Sequence, residues 1–316
     1  MKAHRDVFIE ELFSQAKKDA SIVLISVDMG APALDEWRQE LPDQFVAAGI
    51  SEQNAVNFAS GLAASGKKPY VYMMACWVAR CFEQIRYSCA MPNNHITILG
   101  NGVGLGYAPA GPAHEPTEDL CYMRAIEGIE IFSPSSEMQV REIVKNTIAS
   151  PALRYVRLER SLAARLSTRK HFLDSSGIEV LEVLEGDDRF KISILASGYI
   201  LDRAIDLAQQ INQETGYSIQ IIDVWKIKPL NLRVFENCIK NDSILISIEE
   251  QARDGAFGSA ILEAVSDLNL SLPTLRLSLN TAFAFENGSR EELLDRYGLS
   301  RSSMNDRSLE FIEKVR

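Results

Sequence analysis

Short apolar runs alternate with helix-period stretches along most of the chain, and this alternation constrains the fold more than any other feature. SIVLISVD (21–28), HITILGNG (95–102), KISILASG (191–198), SIQIIDV (218–224) and SILISIEE (243–250) read as buried strands. Between them lie helix candidates. Over 202–211, Ala204, Ile205, Leu207, Ala208 and Ile211 share one face. Strands alternating with helices imply parallel sheets covered on both sides, hence an α/β fold of doubly wound domains. With 316 residues the chain suggests two domains, each with its own core. The stretch SLAARLSTRKHFLDSSGIEVLEVLEGDDRF (161–190) breaks the rhythm, being mixed in charge and bounded by turn residues. It reads as a linker with one short strand. The expected organisation is a domain over 1–165, a linker over 166–189 and a second domain over 190–316. Ligands in parallel sheets sit beyond the carboxyl ends of strands, which directs attention to 28–33, 100–114 and 249–258.

The charge balance narrows the function. There are 33 basic and 43 acidic side chains, a formal net charge of −10. Such a chain is poorly suited to holding nucleic acid through its phosphates, although a local basic site for a phosphorylated small molecule is compatible with it. The cysteines (Cys76, Cys81, Cys89, Cys121 and Cys238) are odd in number and lack CxxC spacing. They read as reduced thiols of a cytoplasmic protein. The opening MKAHRDVFIEELF has no apolar signal core, and no apolar run is long enough for a membrane span.

Four stretches carry chemistry. GISEQN (49–54) places Glu52 and Gln53 at the head of an otherwise apolar run, AVNFASGLAAS. Glu52 is either an ordinary first-turn acid behind a Ser51 cap or a carboxyl set to meet a ligand. In MMACWVARCFEQIR (73–86), Met74 and Trp77 suit a core, and Arg80, Glu83 and Arg86 suit a solvated face. NGVGLGYAPAGPAHEPTED (101–119) is rich in glycine and proline, so its backbone can approach a ligand closely; His114 sits near its end. YVRLER (155–160) ends with Arg160 beyond a strand, either a surface residue or a fork for phosphate.

Taken in order, GISEQN, GLAASGKKPYVY, the R-x-x-x-QIR element, GPAHEPTEDL-x-x-MR, PSS and YVRLER resemble the pyrimidine-binding domain of the transketolase family. DVWKIKPLN and IEEQARDGAFGSA are similar to that family's carboxy-terminal domain. The resemblance covers nearly the whole chain and implies a thiamine diphosphate-dependent enzyme. Glu52 matches the acid that shares a proton with a ring nitrogen of the cofactor's aminopyrimidine. That favours the imino tautomer, which deprotonates the thiazolium carbon to the nucleophilic ylide. Trp77 matches an aromatic that packs on the pyrimidine, and Met74 stands where another aromatic is common. Arg80 and Asp28 are further candidates for the cofactor's surroundings. His114 matches a histidine that bonds substrate oxygens and assists proton transfer. Arg160 and Arg5 match arginines that grip a substrate phosphate.

Departures from the pattern qualify the substrate. The family usually has Asp-Gly-Pro-Thr-His where this chain has Ala110, Gly111, Pro112, Ala113 and His114. A family histidine is also replaced near Gly102. Fewer hydrogen-bond partners weaken recognition of an ordinary polyhydroxy ketose and point to a deoxygenated, branched or otherwise altered sugar. The family's diphosphate and Mg²⁺ are held by a separate domain bearing a Gly-Asp-Gly motif followed by asparagines. Gly186-Asp187-Asp188 has no such context, so no metal ligand is expected in this chain. The resemblance therefore implies the carboxy-terminal subunit of a split enzyme. Its partner would be an amino-terminal subunit carrying the diphosphate domain, in a heterotetramer of two copies of each chain. The expected activity is transfer of a two-carbon ketol unit between phosphorylated sugars. The alternatives are a relative of deoxyxylulose phosphate synthase, a 2-oxo-acid dehydrogenase beta subunit, and a non-catalytic regulatory subunit. The last is motivated by Ala110 and Ala113 and opposed by Glu52, His114 and Arg160.

Overall fold

The computed structural model describes residues 2–160, 176–279 and 283–316. Residues 161–175, where the end of the first expected domain and the start of the expected linker fall, lie outside the described residues. The first half contributes β1 (Ile22–Ser26), β2 (Phe45–Ala47), β3 (Lys68–Met74), β4 (Thr97–Asn101), β5 (Glu130–Phe132) and β6 (Arg154–Leu158). The second half contributes β7 (Ile178–Leu184), β8 (Asp187–Ala196), β9 (Tyr217–Val224), β10 (Lys226–Lys228), β11 (Ile244–Ala252) and β12 (Thr274–Leu279). Among the described residues these form a sheet ordered β10-β5-β6-β4-β3-β1-β2 and a second ordered β12-β11-β8-β9-β7. The fold is α/β with two sheet-centred domains, as the alternation predicts. The second sheet begins at Ile178, inside the stretch expected to link the domains.

The sheets differ from a purely parallel arrangement at one edge each. β10 runs antiparallel to β5, and β7 runs antiparallel to β9. The residues of β7 explain its place. Val180 and Val183 face outward, which an edge strand tolerates and a strand covered on both faces does not. The inner strands behave as their continuous apolar runs predict, since every residue of β1, β4 and β6 is buried. Each fully buried Val, Leu or Ile among them contributes about 1.5–3 kcal/mol. The helix Leu201–Thr215 covers the second sheet with the predicted face, Ala204, Ile205, Leu207, Ala208 and Ile211 all being buried.

This architecture gathers the chemistry-bearing stretches along one edge. The register sets Met74, the last residue of β3, against Asn101 at the end of β4, and Asn101 against Leu158 at the end of β6. The chain leaves β3 directly into a 3₁₀ turn, Ala75–Cys81, and leaves β4 into the glycine-rich loop. The helix Glu52–Ala64 opens just after β2.

Candidate functional site

Glu52 is the first residue of its helix and is only 7% exposed. Ser51 does not cap that helix; its hydroxyl donates instead to the Ala48 carbonyl at 2.6 Å. Arg80 Nη1 lies 3.7 Å from Glu52 Oε2, and the Arg80 guanidinium lies 5.6 Å from the Trp77 ring centroid. Gln53 Nε2 donates to the Arg80 carbonyl at 2.9 Å, fixing the turn against the helix start. Burial pushes the Cys76 thiol up to about 11 and the Cys81 thiol up to about 12. The nearby Glu52 charge acts in the same direction on both.

Trp77 meets His114 edge-on, with ring centroids 5.7 Å apart and planes at 68°. The sequence-predicted residues Glu52, Arg80, Trp77 and His114 are therefore joined by consecutive contacts, although they come from three separate stretches. Met74 is half-buried at the end of β3, at the start of this group. Asp28 is different: it sits exposed just past β1 with φ +42°, outside these contacts. Along the helix that Glu52 begins and the segment packed beside it, the surface carries exposed apolar side chains. Ile50 is 77% and Met91 68% exposed, and Phe58 and Tyr87 are exposed as well. Ser88 Oγ donates to Asn57 Oδ1 at 2.7 Å and holds the 85–90 segment beside the helix.

The His114 ring ends a short 3₁₀ turn, Pro112–His114. Its Nδ1 is buried and has no hydrogen-bond partner. Glu115 is buried beside it, with Oε1 likewise unpartnered. Burial pushes the Glu115 carboxyl up to about 7, and the Glu250 charge adds to the effect.

A second group surrounds Tyr107. The Arg160 guanidinium lies 4.6 Å from the Tyr107 ring centroid, and Asn101 Nδ2 donates to the Tyr107 hydroxyl at 2.8 Å. Burial raises the Tyr107 phenol, while the charges of Arg160 and Arg5 both oppose that rise. Arg5 is itself held by Asp6, through Nε at 2.8 Å and Nη2 at 3.1 Å. Arg157, the other arginine of YVRLER, is turned to a different partner. It is buried, and its Nε and Nη2 donate to Asp119 at 2.7 and 3.2 Å.

Sequence pattern alone singles out none of Tyr107, Asn101, Glu115 and the buried ion group Glu159–Arg290–Glu250. The available signal for Tyr107 was that it is the one aromatic residue in the glycine-rich loop. Among the described residues no group of three or more His, Cys, Asp or Glu is placed to hold a metal ion. A cavity of about 240 Å³ lined by Lys68, Thr97 and Arg154 lies at the amino ends of β3, β4 and β6, away from this site. No helix among the described residues is long and apolar enough to cross a membrane, and all five cysteines are free thiols.

Comparison with known proteins accords with this geometry. Residues 1–165 match the transketolase pyrimidine binding domain, and residues 182–304 match the transketolase C-terminal domain. The chain is 30% identical over 316 residues to one subunit of the apulose-4-phosphate transketolase of Phocaeicola vulgatus, covering 99% of each. It is 30% identical over 314 residues to 1-deoxy-D-xylulose-5-phosphate synthase of Dictyoglomus thermophilum, covering 99% of this chain and 50% of that enzyme. Among solved structures it is similar to one described as a split gene transketolase, inactive beta4 tetramer, with a TM-score of 0.85, 25% identity and 100% coverage of each chain. The two matched domains and the full-length likeness establish that this chain belongs to the transketolase family.

Proposed function

We propose that this chain is the carboxy-terminal subunit of a split, thiamine diphosphate-dependent transketolase that transfers a two-carbon ketol unit between phosphorylated sugars. The observation that carries this reading is the run of contacts from Glu52 through Arg80 and Trp77 to His114. When bound, thiamine diphosphate supplies a nucleophilic ring carbon and an electron sink. The residues present suit that cofactor. Glu52 offers a nearly buried carboxyl at a helix start, Trp77 offers an aromatic wall, and His114 has an unpartnered buried nitrogen.

In this reading Glu52 holds a proton at its carboxylate for a ring nitrogen, and Trp77 with Met74 orients that ring. His114 bonds a substrate oxygen and moves a proton there. Arg160 and Arg5 hold the substrate phosphate. Ala110 and Ala113 supply no polar side chain to read sugar hydroxyls, which supports an altered sugar.

The exposed Ile50, Phe58, Tyr87 and Met91 on the helix that Glu52 begins and its neighbouring segments support a partner chain packing on this face. That partner would be the amino-terminal subunit, carrying the diphosphate site and its Mg²⁺, in a cytoplasmic heterotetramer. The Phocaeicola relative is named as one subunit of its transketolase, and this chain spans about half of the Dictyoglomus synthase, both of which support a split arrangement.

The synthase likeness favours a second reading, condensation of pyruvate-derived carbon with an aldehyde phosphate. Reconstitution separates the two. The chain is mixed with a candidate partner, thiamine diphosphate and Mg²⁺, then offered either ketose phosphates or pyruvate with an aldehyde phosphate. Ketol transfer by the mixture, absent from either chain alone, is the expected result. Pyruvate consumption would favour the synthase reading. Activity equal to the parent's in a Glu52→Gln mixture would overturn the catalytic assignment.

A further inference from the structure

The loop after β4 contains an arrangement that neither the motifs nor the family match assigns. Gly102 has φ +74°, and a Cβ built on it would lie 1.9 Å from Tyr107 Cε2. The Tyr107 ring thus fills the room that any side chain at 102 would take. Asn101, fully buried at the end of β4, pins the ring by donating to its hydroxyl at 2.8 Å. The Arg160 guanidinium stacks over it at 4.6 Å. Because the phenol oxygen accepts from Asn101, its own proton remains free to be donated.

The surroundings define what would receive that proton. Arg160 and Arg5 both act on the Tyr107 phenol. Tyr72, buried in β3, has its hydroxyl within reach of Arg5, without a well-aligned hydrogen bond. Asp6 offsets part of the positive charge by binding Arg5. Arg160 over the Tyr107 ring, Arg5 beside Tyr72 and the two phenolic hydroxyls offer several donors against one carboxylate, Asp6. That set suits a compact anion with several acceptor oxygens, as a phosphate monoester has.

Resting on the transketolase reading, we propose that Tyr107 determines specificity by donating a hydrogen bond to the substrate phosphate between Arg5 and Arg160. Its position depends on Gly102 and Asn101. Removing the hydroxyl takes away one hydrogen bond to a charged group and leaves the reacting atoms untouched.

The test uses the reconstituted two-chain enzyme with a ketose phosphate and, separately, the dephosphorylated ketose. Tyr107→Phe should raise KM for the phosphorylated substrate roughly tenfold, with kcat and the KM for the dephosphorylated sugar unchanged. An unchanged KM, or equal changes for both sugars, overturns the proposal. Combining it with Arg160→Ala should give a loss smaller than the product of the single losses, because the two residues touch. Strictly multiplicative losses overturn it as well. Titration of this chain with inorganic phosphate, read by calorimetry, separates the proposal from the functional reading. Weaker binding by Tyr107→Phe supports the proposal even if the reconstituted enzyme transfers no ketol unit, and equal binding overturns it.

Discussion

Glu250 Oε1 accepts a hydrogen bond from the Leu105 backbone N–H at 2.8 Å, so a carboxylate of the second domain grips the glycine-rich loop of the first. Arg290 holds the same carboxylate through Nε at 2.8 Å and Nη2 at 2.5 Å, and its Nη1 reaches Glu159 at 2.9 Å. All three charged groups are buried. Gly104 makes the approach possible, since a Cβ there would lie 2.8 Å from Glu250 Cδ. The segment that presents Tyr107 and His114 is thus set in place by the other half of the chain.

Arg290→Ala leaves Glu159 and Glu250 buried without their common partner. It should cost about 3–5 kcal/mol in denaturant unfolding, the usual penalty for breaking a buried pair. Glu250→Gln keeps an acceptor for Leu105 and should cost less. Equal, small losses for both variants would show that the ion group does not hold the loop.

Glu52→Gln removes the carboxylic proton donor but retains size and shape. The reconstituted enzyme should lose about 10²-fold or more in kcat. The variant chain should melt within a few degrees of the parent. A collapse of Tm instead would mean that Glu52 serves the helix rather than the reaction.

Trp37 and Trp225 are fully buried, whereas Trp77 is half-buried beside Arg80 and His114. Tryptophan fluorescence should therefore report occupancy of this site. Adding thiamine diphosphate and Mg²⁺ to the two-chain enzyme should change the emission, and Trp77→Phe should abolish the part of the change due to this chain. Retention of the full change would locate the cofactor elsewhere.

Glu115 gives stability a pH dependence of definite sign. Its carboxyl lies at about 7 in the folded chain against an ordinary 4.5. The folded chain therefore keeps a proton that the unfolded chain releases. Stability from this group falls as pH rises from about 4.5 to about 7, and is level above that. Glu115→Gln, uncharged throughout, should gain Tm over the parent across that window and hold the gain above it. Glu249, raised by burial to about 8, has the same sign but is present in both proteins and cancels in the difference. A Tm difference flat from pH 5 to pH 8 would contradict this.

How much of this was legible depended on how local the cause was. The central strands β1, β4, β8, β9 and β11 announce themselves because burial on both faces demands unbroken apolar runs. β5 and β10 have three residues each, and β10 is Lys-Ile-Lys, so neither offers a period to read. Glu52, Trp77, His114 and Arg160 stand out as candidates because each lies in a short recognisable string, and Arg5 because of its spacing to Asp28. Glu159, Arg290 and Glu250 do not, because each looks like a surface charge until the fold brings them together. The stretch 249–258 is legible as a strand tip, but nothing local shows that Glu250 turns inward to Leu105. Asp28 sits at the right strand end, exposed and with φ +42°, and takes no part in the contacts that join Glu52 to His114.

β10 belongs by sequence to the second half and by pairing to the first. It closes the edge of β5, the Ser133 N–H donates to the Trp225 carbonyl at 2.8 Å, and Trp225 stacks on Phe132 at 6.2 Å. A fragment ending near residue 165 would present β5 as a bare edge beside an uncovered aromatic ring, an invitation to pair with another copy. The line between the two matched families is therefore not a line along which the molecule comes apart. A graft or gene fission that cut there would have to supply another cover for β5.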